Sequence, residues 1–188
     1  EIHVDIGGKF TGIITYGEFS DDPSVKLTEA YKPGDEIEAV VIKVNDAEGI
    51  AQLSKKKIDV DKNWQAVVDA FNNQEVLDAK IIDVVKGGVI GLVGGVRVFI
   101  PASQSGLPKD ADLSELKGQT KQVRVIDLNE QRKRVVASIR SVEREQRKAQ
   151  REAFWSQIEP GQVYHGEVKS LTSYGAFVDL GGVDGMIH

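Results

Sequence analysis

Two aromatic and two basic residues lie close together near the end of the sequence, in a pattern suited to contact with nucleobases. Phe177 alternates with apolar residues such as Val178, so its ring is expected on the face opposite the core. Tyr174 precedes a glycine whose flexibility can bring the phenol to the same side. Exposed rings let bases stack, at roughly 1–3 kcal/mol per base, and His188 and Lys169 can add hydrogen bonds and phosphate attraction. The alternative is that Phe177 covers a neighbouring linker.

Charge is spread unevenly along the chain, although the whole sequence is acidic at −5. Residues 1–60 contain 12 acidic and 7 basic side chains, whereas residues 117–151 contain 11 basic and 4 acidic ones. Such asymmetry is typical of a localised phosphate-binding surface. For residues 143–151 alone, a solvated helix with internal salt bridges is an equal alternative. The candidate phosphate-contacting cations in the basic segment are Arg124, Arg132, Lys133 and Arg134.

Several function classes are disfavoured by composition. The absence of cysteine excludes a disulfide framework and thiolate metal sites and suits a reducing cytosol, and three scattered histidines do not suggest a metal cluster. There is no long apolar stretch, no secretory leader, no nucleophile elbow and no phosphate-cradling loop. The carboxylate pair Asp21-Asp22 has no histidine partner and is expected to be surface charge. We therefore expect a cytoplasmic protein that is not an enzyme and needs no metal, cofactor, small-molecule substrate or membrane.

Internal repetition gives the domain organisation. The pairs Gly7-Gly8, Gly94-Gly95 and Gly181-Gly182 are separated by 87 and again by 87 residues, and each follows one β-rich run and precedes another. One repeat holds about five short strands, with the glycine pair as a hairpin turn. Short, evenly spaced strands without crossover helices predict a closed antiparallel barrel of the OB type.

Between the barrels the apolar period becomes helical. Trp64, Val67 and Phe71 follow a helical spacing, and the charged run after residue 140 ends near Trp155. Both tryptophans are expected to pack against protein. The predicted fold is all-β, with tandem five-stranded OB-type barrels joined by short helical linkers. Its parts are a partial barrel at 1–58 that lacks the first strand, a linker at 59–73, a complete barrel at 74–140, a charged linker at 141–159, and a partial barrel at 160–188 that lacks the last strands. A segment of a longer protein is therefore expected.

The third repeat resembles the S1 RNA-binding domain family, a member of the OB-fold class. The resemblance rests on a Gly-x-Val strand from Gly161, a Tyr-Gly-Ala-Phe-Val-Asp strand from Tyr174, and the Gly-Met-Ile-His strand that ends at His188. It implies that RNA lies on the barrel face formed by the aromatic residues, the histidine and nearby basic residues, and Arg134 falls on the family's arginine position. The tandem arrangement is similar to the ribosomal members of the family. It implies binding of single-stranded messenger RNA in translation, on the small ribosomal subunit and beside its proteins.

The other two repeats depart from that pattern. In the middle repeat Ile90 stands at the position of Phe177, and Leu92 also points outward, so these two residues are expected to dock a protein. In the first repeat His3 takes the Phe177 position as a candidate RNA contact, while Ile50 replaces the basic residue. We expect weak RNA affinity and a docking role for this acidic repeat.

Two further functions remain open from the sequence. The segment could be the RNA-holding part of an RNA-processing enzyme, although three repeats in tandem favour the ribosomal arrangement. It could also be a protein-docking scaffold of the ribosome that acts through its first two barrels, with RNA binding secondary.

Overall fold

The computed structural model describes residues 1–188, which form twelve strands and four α-helices. The strands are β1 (Ile2–Asp5), β2 (Thr11–Ile14), β3 (Val40–Asn45), β4 (Ile50–Ser54), β5 (Val76–Val85), β6 (Gly88–Val93), β7 (Val96–Pro101), β8 (Thr120–Asn129), β9 (Arg134–Ser138), β10 (Glu167–Thr172), β11 (Gly175–Asp179) and β12 (Asp184–Ile187). The helices are α1 (Tyr16–Phe19), α2 (Leu27–Ala30), α3 (Lys55–Asn73) and α4 (Ile139–Gln157). Two compact units divide the chain, Glu1–Arg140 and Ser141–His188. No helix is both long and apolar enough to cross a bilayer.

The middle repeat is a closed five-stranded barrel, in the strand order β5-β6-β7-β9-β8. All its strand pairs are antiparallel except β7 with β9. Gly94 and Gly95 have φ values of 56° and 87° and form the two-residue turn between β6 and β7, for which positive φ at both positions is required. The predicted mostly-β fold with a closed OB-like barrel is confirmed.

Alternating apolar side chains fill the barrel because successive residues of a strand point to opposite faces. In β7, for example, Val96, Val98 and Ile100 are buried, whereas Arg97 is exposed. Gly88 is required by close approach, since a Cβ atom there would lie 2.2 Å from the carbonyl oxygen of Ile100. The buried core residues of the barrel and its linker helix are Val67, Ala79, Ile81, Val89, Val96, Val98, Ile100, Leu116, Val123, Val125, Val135, Ala137 and Ile139.

The first and third repeats contain parts of the same arrangement. The first forms a four-stranded sheet in the order β1-β2-β4-β3, and the third a three-stranded sheet, β10-β11-β12. The first repeat has its own core of Ile14, Phe19, Ala51 and Leu53. Equivalent cross-strand pairs show that the three repeats share one register, and these pairs are His3–Ile13, Ile90–Phe99 and Phe177–Met186.

Helix α3 is anchored to the middle barrel by its apolar side. Ser54 caps its N-terminus by accepting a hydrogen bond from the Lys57 N–H, and Gln74 ends it in the left-handed region. Val67 is buried in the barrel core, and Trp64 packs against that core, as expected. The helix therefore belongs to the packing of the middle repeat.

The aromatic residues near the end of α4 differ in their exposure. Phe154 packs on the ring of Tyr164, with 5.3 Å between the centroids. Trp155 is 59% exposed in this chain. The third repeat has no counterpart here of β8, the strand that borders α3 in the middle repeat. The expectation that Trp155 packs against protein therefore stays a prediction.

Asp22 is also not surface charge, contrary to the sequence expectation. Its side chain is 11% exposed and pairs with the Lys80 ammonium at 2.6 Å, and its carboxylate accepts hydrogen bonds from the backbone N–H and hydroxyl of Ser24. Burial raises the pKa of this carboxyl, but the hydrogen bonds from Lys80 and Ser24 outweigh burial and bring the pKa below its ordinary value of 3.8. Asp22 therefore joins the first repeat to β5 of the middle barrel.

Replacing Asp22 with asparagine should lower the free energy of unfolding by about 1.5–3 kcal/mol at pH 7, because a hydrogen-bonded charged group is lost. The folded-state pKa is depressed, so the carboxylate's contribution is complete above the unfolded-state value near 3.8 and is lost as pH falls through the folded-state value. Urea titrations of both proteins should show a difference at pH 7 that disappears in acid. A difference that stayed constant below the folded-state pKa would contradict this assignment.

Candidate nucleic-acid interface

The third repeat presents two adjacent rings on the outer face of its sheet. Phe177 lies on β11 opposite Met186 of β12 and Ser170 of β10, on the side away from buried Val178. The rings of Tyr174 and Phe177 meet edge to face, with 6.2 Å between centroids and 88° between planes. Tyr174 is 60% exposed, and Phe177 is half-buried. The pair forms an open aromatic surface on which a base can stack.

His188 and Lys169 occupy different ends of this surface. A Cβ atom on Gly175 would lie 3.4 Å from the His188 Cα, so His188 is beside the start of β11, next to Tyr174. Lys169 lies at the irregularity in β10, and its ammonium contacts Asp184 at 2.6 Å and Asp179 at 3.4 Å. The structure therefore places His188 with the rings and Lys169 with carboxylates.

At the Lys169 end of the surface, backbone hydrogen bonds favour the charged form of Asp179. The backbone N–H groups of Gly181 and Gly182 donate to Asp179 Oδ1, at 2.9 and 3.2 Å, and these bonds lower the pKa of the Asp179 carboxyl. The hydrogen bond to Asp184 raises the pKa of the Lys169 ammonium. Two carboxylates around one ammonium leave a net negative cluster, which disfavours phosphate at this end.

The middle barrel carries two arginines and a ring on the equivalent face. In the parallel pairing of β7 with β9, Phe99 lies opposite Val136. Arg97 and Arg134 each precede those residues by two positions, so they lie side by side on the same outer face. Phe99 also pairs with Ile90, and its ring covers Gly88, where a Cβ atom would approach to 2.9 Å. The face therefore combines a ring, aliphatic side chains and two cations.

Arg97 and Phe99 were not among the candidates from the sequence. Phe99 follows Gly94 by five residues, as Met186 follows Gly181, so the repeat spacing already contained the signal. The strict alternation in β7 likewise put both side chains outside the core. The neighbouring position of Arg134, 37 residues later, depends on the β7–β9 pairing and had no local signal.

The other predicted cations are not brought together. The Lys133 ammonium pairs with Asp61 of α3, and the Arg132 backbone N–H donates to the Asn129 side chain in the hairpin turn. Arg124 lies opposite Ser138, at the far end of the β8–β9 pair from Arg134. The antiparallel register therefore separates Arg124 from the hairpin cations.

The corresponding face of the first repeat has little positive charge. His3 pairs across the strands with Ile13, and its Nε2 atom is 3.3 Å from a carboxylate oxygen of Glu1. In the parallel pairing of β2 with β4, Gln52 stands at the position that Val136 has in the middle barrel. Ile50 stands at the position of Arg134.

Ile90 and Leu92 of the middle barrel are half-buried on their outer face, where Leu92 pairs with Arg97. No group of three or more histidine, aspartate or glutamate side chains could hold a metal ion.

Comparison with known proteins identifies the family. The family model described as S1 RNA binding domain matches residues 1–56, 70–140 and 157–188. The chain is 37% identical over 191 residues to small ribosomal subunit protein bS1 of Staphylococcus aureus strain N315, covering 100% of this chain and 48% of that protein. It is 40% identical over 180 residues to bS1 of Leuconostoc lactis, covering 94% of this chain and 42% of that protein. The chain thus spans about half the length of these relatives or less.

Among solved structures, a chain of the a/eIF2alpha–aDim2p–rRNA complex from Pyrococcus horikoshii OT3 shares 21% sequence identity and a TM-score of 0.36. The match covers 44% of this chain and 52% of that one. A TM-score of this size carries no argument about fold or function.

Proposed function

This chain belongs to the S1 RNA-binding domain family, and on that premise we propose that it binds single-stranded RNA within a longer protein of the translation machinery. The curated relatives are small ribosomal subunit proteins, which supports the small subunit as the place of action. Messenger RNA is the single-stranded RNA that we propose as the ligand there. The matched family is described as RNA-binding, so the proposed role is binding in the cytoplasm without catalysis.

The observation that carries this proposal is the Tyr174–Phe177 ring pair on the outer face of the third repeat. Every base has a π-face, so such a pair stacks bases with little sequence preference. His188 lies beside Tyr174 and can hydrogen-bond to a base edge or a phosphate. The carboxylates near Lys169 repel phosphate, so the RNA backbone is expected to pass on the His188 side. Lys169 can reach a phosphate only by leaving Asp184.

The middle barrel contributes mainly phosphate contacts in this proposal. Arg97 and Arg134 lie together and neither forms an ion pair, so both guanidinium groups are available to bidentate phosphate binding. Phe99 adds one ring beside them. Arg132 extends this basic edge at the hairpin, whereas Lys133 is partly neutralised by Asp61. The acidic first repeat, with His3 as its one candidate contact, is proposed to bind RNA weakly.

The finer architecture is part of the same proposal. We infer that the first and third repeats form barrels like the middle one in the longer protein, because equivalent strands share the same register. Helices α3 and α4 then serve as linkers between barrels. In two repeats the linker helix contacts the Gly-Gly turn that follows it, at Asn63 beside Gly94 and at Gln150 beside Gly182. These equivalent contacts support the arrangement.

Replacing Arg97 and Arg134 together with glutamine tests the phosphate role. Loss of two contacts should weaken binding of an oligouridylate by about fivefold for each at ~0.1 M salt, and should reduce the slope of log K against log salt by about 1.4. Fluorescence anisotropy over a range of salt concentrations measures both quantities. The matched control replaces exposed Lys32 and Lys109 with glutamine, which removes the same charge elsewhere. Equal effects of the two double variants would mean that the arginines act only through the net charge of the chain. That result would contradict a site at Arg97 and Arg134.

The half-buried side chains of Ile90 and Leu92 favour a second candidate, a protein-docking face on the middle barrel. It predicts that Ile90→Ser with Leu92→Ser abolishes capture of small-subunit proteins from ribonuclease-treated extract and leaves oligouridylate affinity unchanged. Loss of RNA affinity with capture retained would instead assign these residues to the RNA surface.

A further inference from the structure

The turn between β8 and β9 contains a lysine at a position where the backbone favours glycine. Lys133 has a φ of 45°, in the left-handed region that residues with a Cβ atom rarely adopt. The turns at 46–49 and 130–133 have equal length, and in the first repeat Gly49 stands at the position of Lys133, with a φ of 65°. The middle repeat therefore has a lysine side chain where its relative in the same chain has none.

The Lys133 ammonium forms an ion pair with Asp61 of helix α3. Both side chains are about half-exposed, and an ion pair in such surroundings contributes little to stability. Other contacts already anchor the helix, because Val67 is buried in the barrel core and the Asn63 side-chain amide donates to the Gly94 carbonyl oxygen at 2.6 Å. The ion pair is therefore not needed to hold α3 in place.

This ion pair lies at the same end of the barrel as the proposed phosphate contacts. Strands β7 and β9 run parallel and both start at this end. Arg134 is the residue after Lys133, and Arg97 lies two residues after the β6–β7 turn. Helix α3 crosses both turns, since Asp61 contacts the β8–β9 turn and Asn63 contacts the β6–β7 turn. Asp61 therefore occupies the lysine adjacent to Arg134.

We propose that Asp61 is an intramolecular competitor of RNA phosphate for Lys133. In the free chain the carboxylate holds the ammonium, and when RNA binds at Arg97 and Arg134 a phosphate replaces the carboxylate as its partner. Carboxylate and phosphate oxygens both accept charge-assisted hydrogen bonds, and the flexible lysine stem lets the ammonium move between them. One ion pair is lost for each that forms, so Asp61 limits the affinity of the middle barrel for RNA. This inference rests on the proposed function, since it concerns the same phosphate contacts.

Replacing Asp61 with asparagine should strengthen RNA binding. The change removes the competing carboxylate and preserves the size of the side chain, so affinity for an oligouridylate should rise about two- to fivefold at ~0.1 M salt. The slope of log K against log salt should become steeper by about 0.7, because Lys133 then adds one phosphate contact. Fluorescence anisotropy over a range of salt concentrations measures both quantities.

Asp69 provides the matched control on the same helix. Asp69→Asn removes the same charge from an exposed position that lies eight residues further along α3. At 1.5 Å per residue this is ~12 Å along the axis, beyond the Debye length of about 10 Å at 0.1 M salt, so affinity should change by less than about twofold. An equal gain from both variants would reflect net charge alone and would overturn the inference.

A double-mutant cycle tests whether the effect of Asp61 passes through Lys133. In the unmodified chain Lys133→Gln should weaken RNA binding by less than about twofold, because the ammonium only exchanges one anion for another. In the Asp61→Asn background the same change should weaken binding by about fivefold at ~0.1 M salt, since a full phosphate contact is lost. Equal costs in the two backgrounds would show that the residues act independently and would contradict the competition.

The remaining outcomes separate this inference from a structural role and from the proposed function. If Asp61 only anchored α3, its replacement would lower the midpoint of urea unfolding and leave the salt slope unchanged. If Asp61→Asn binds no more tightly than Asp69→Asn while Phe177→Ala still weakens binding, the inference is contradicted and the proposed function stands. If the unmodified chain binds no oligouridylate, both are contradicted.

Discussion

Replacing Phe177 with alanine is expected to weaken the binding of single-stranded RNA by about 5- to 150-fold. The estimate follows from roughly 1–3 kcal/mol for one base stacked on an aromatic side chain, with tenfold in affinity for each 1.4 kcal/mol. Phe177 meets Tyr174 edge to face, so its removal also takes away the ring that supports the phenol. The measurement is anisotropy of a labelled oligouridylate at fixed salt.

Aromatic replacements at the same position provide the control. Phe177→Trp should retain affinity, because stacking needs a π-face and not a particular ring. The slope of log K against log salt should be the same in Phe177→Ala as in the unmodified chain, since no phosphate contact is lost. An alanine variant with unchanged affinity would contradict the stacking site, and a changed slope would point to a loss of phosphate contacts instead.

Replacing Ile100 with alanine should lower the free energy of unfolding by about 2–5 kcal/mol. Ile100 is 0% exposed in β7, inside the closed barrel, and its carbonyl oxygen lies against Gly88. Removing its outer carbons loses buried apolar surface and leaves a cavity that the hydrogen-bonded strands cannot fill by moving inward. Urea denaturation should show a lower midpoint with an unchanged m-value.

Ile126 offers a matched control on the same barrel. It lies on β8 and is 46% exposed, so Ile126→Ala should change the free energy of unfolding by less than about 1 kcal/mol. Equal destabilisation of both alanine variants would contradict the placement of Ile100 in the barrel interior. RNA affinity of folded Ile126→Ala should also equal that of the unmodified chain.

The repeat, its strands and its ring pair could be predicted from the sequence because their signals are local. Alternation of side chains along a strand has a period of two, so Phe177 and Val178 separate onto opposite faces whatever the rest of the chain does. A glycine pair between two β-rich runs specifies a tight turn, because both residues adopt positive φ, as Gly94 and Gly95 do. The helical spacing of apolar residues predicted that Trp64 packs against protein, and its packing on the middle barrel agrees with that expectation.

One expectation failed for a reason that is not local. Asp22 follows Asp21 in a polar loop, and only the folded chain brings Lys80, 58 residues later, to its carboxylate. This outcome depends on which distant segment lies beside the residue, which propensity and periodicity do not encode.

The sequence by itself determined the family, the strand pattern and the base-stacking candidates, since these depend on residue types at short spacing. The tertiary structure decided how charge is distributed among them. Parallel pairing of β7 with β9 places Arg97 beside Arg134. At the irregularity in β10, the Lys169 ammonium forms ion pairs with two carboxylates. Electrostatic attraction acts through space, so net charge along the chain could not show which cations remain free for RNA.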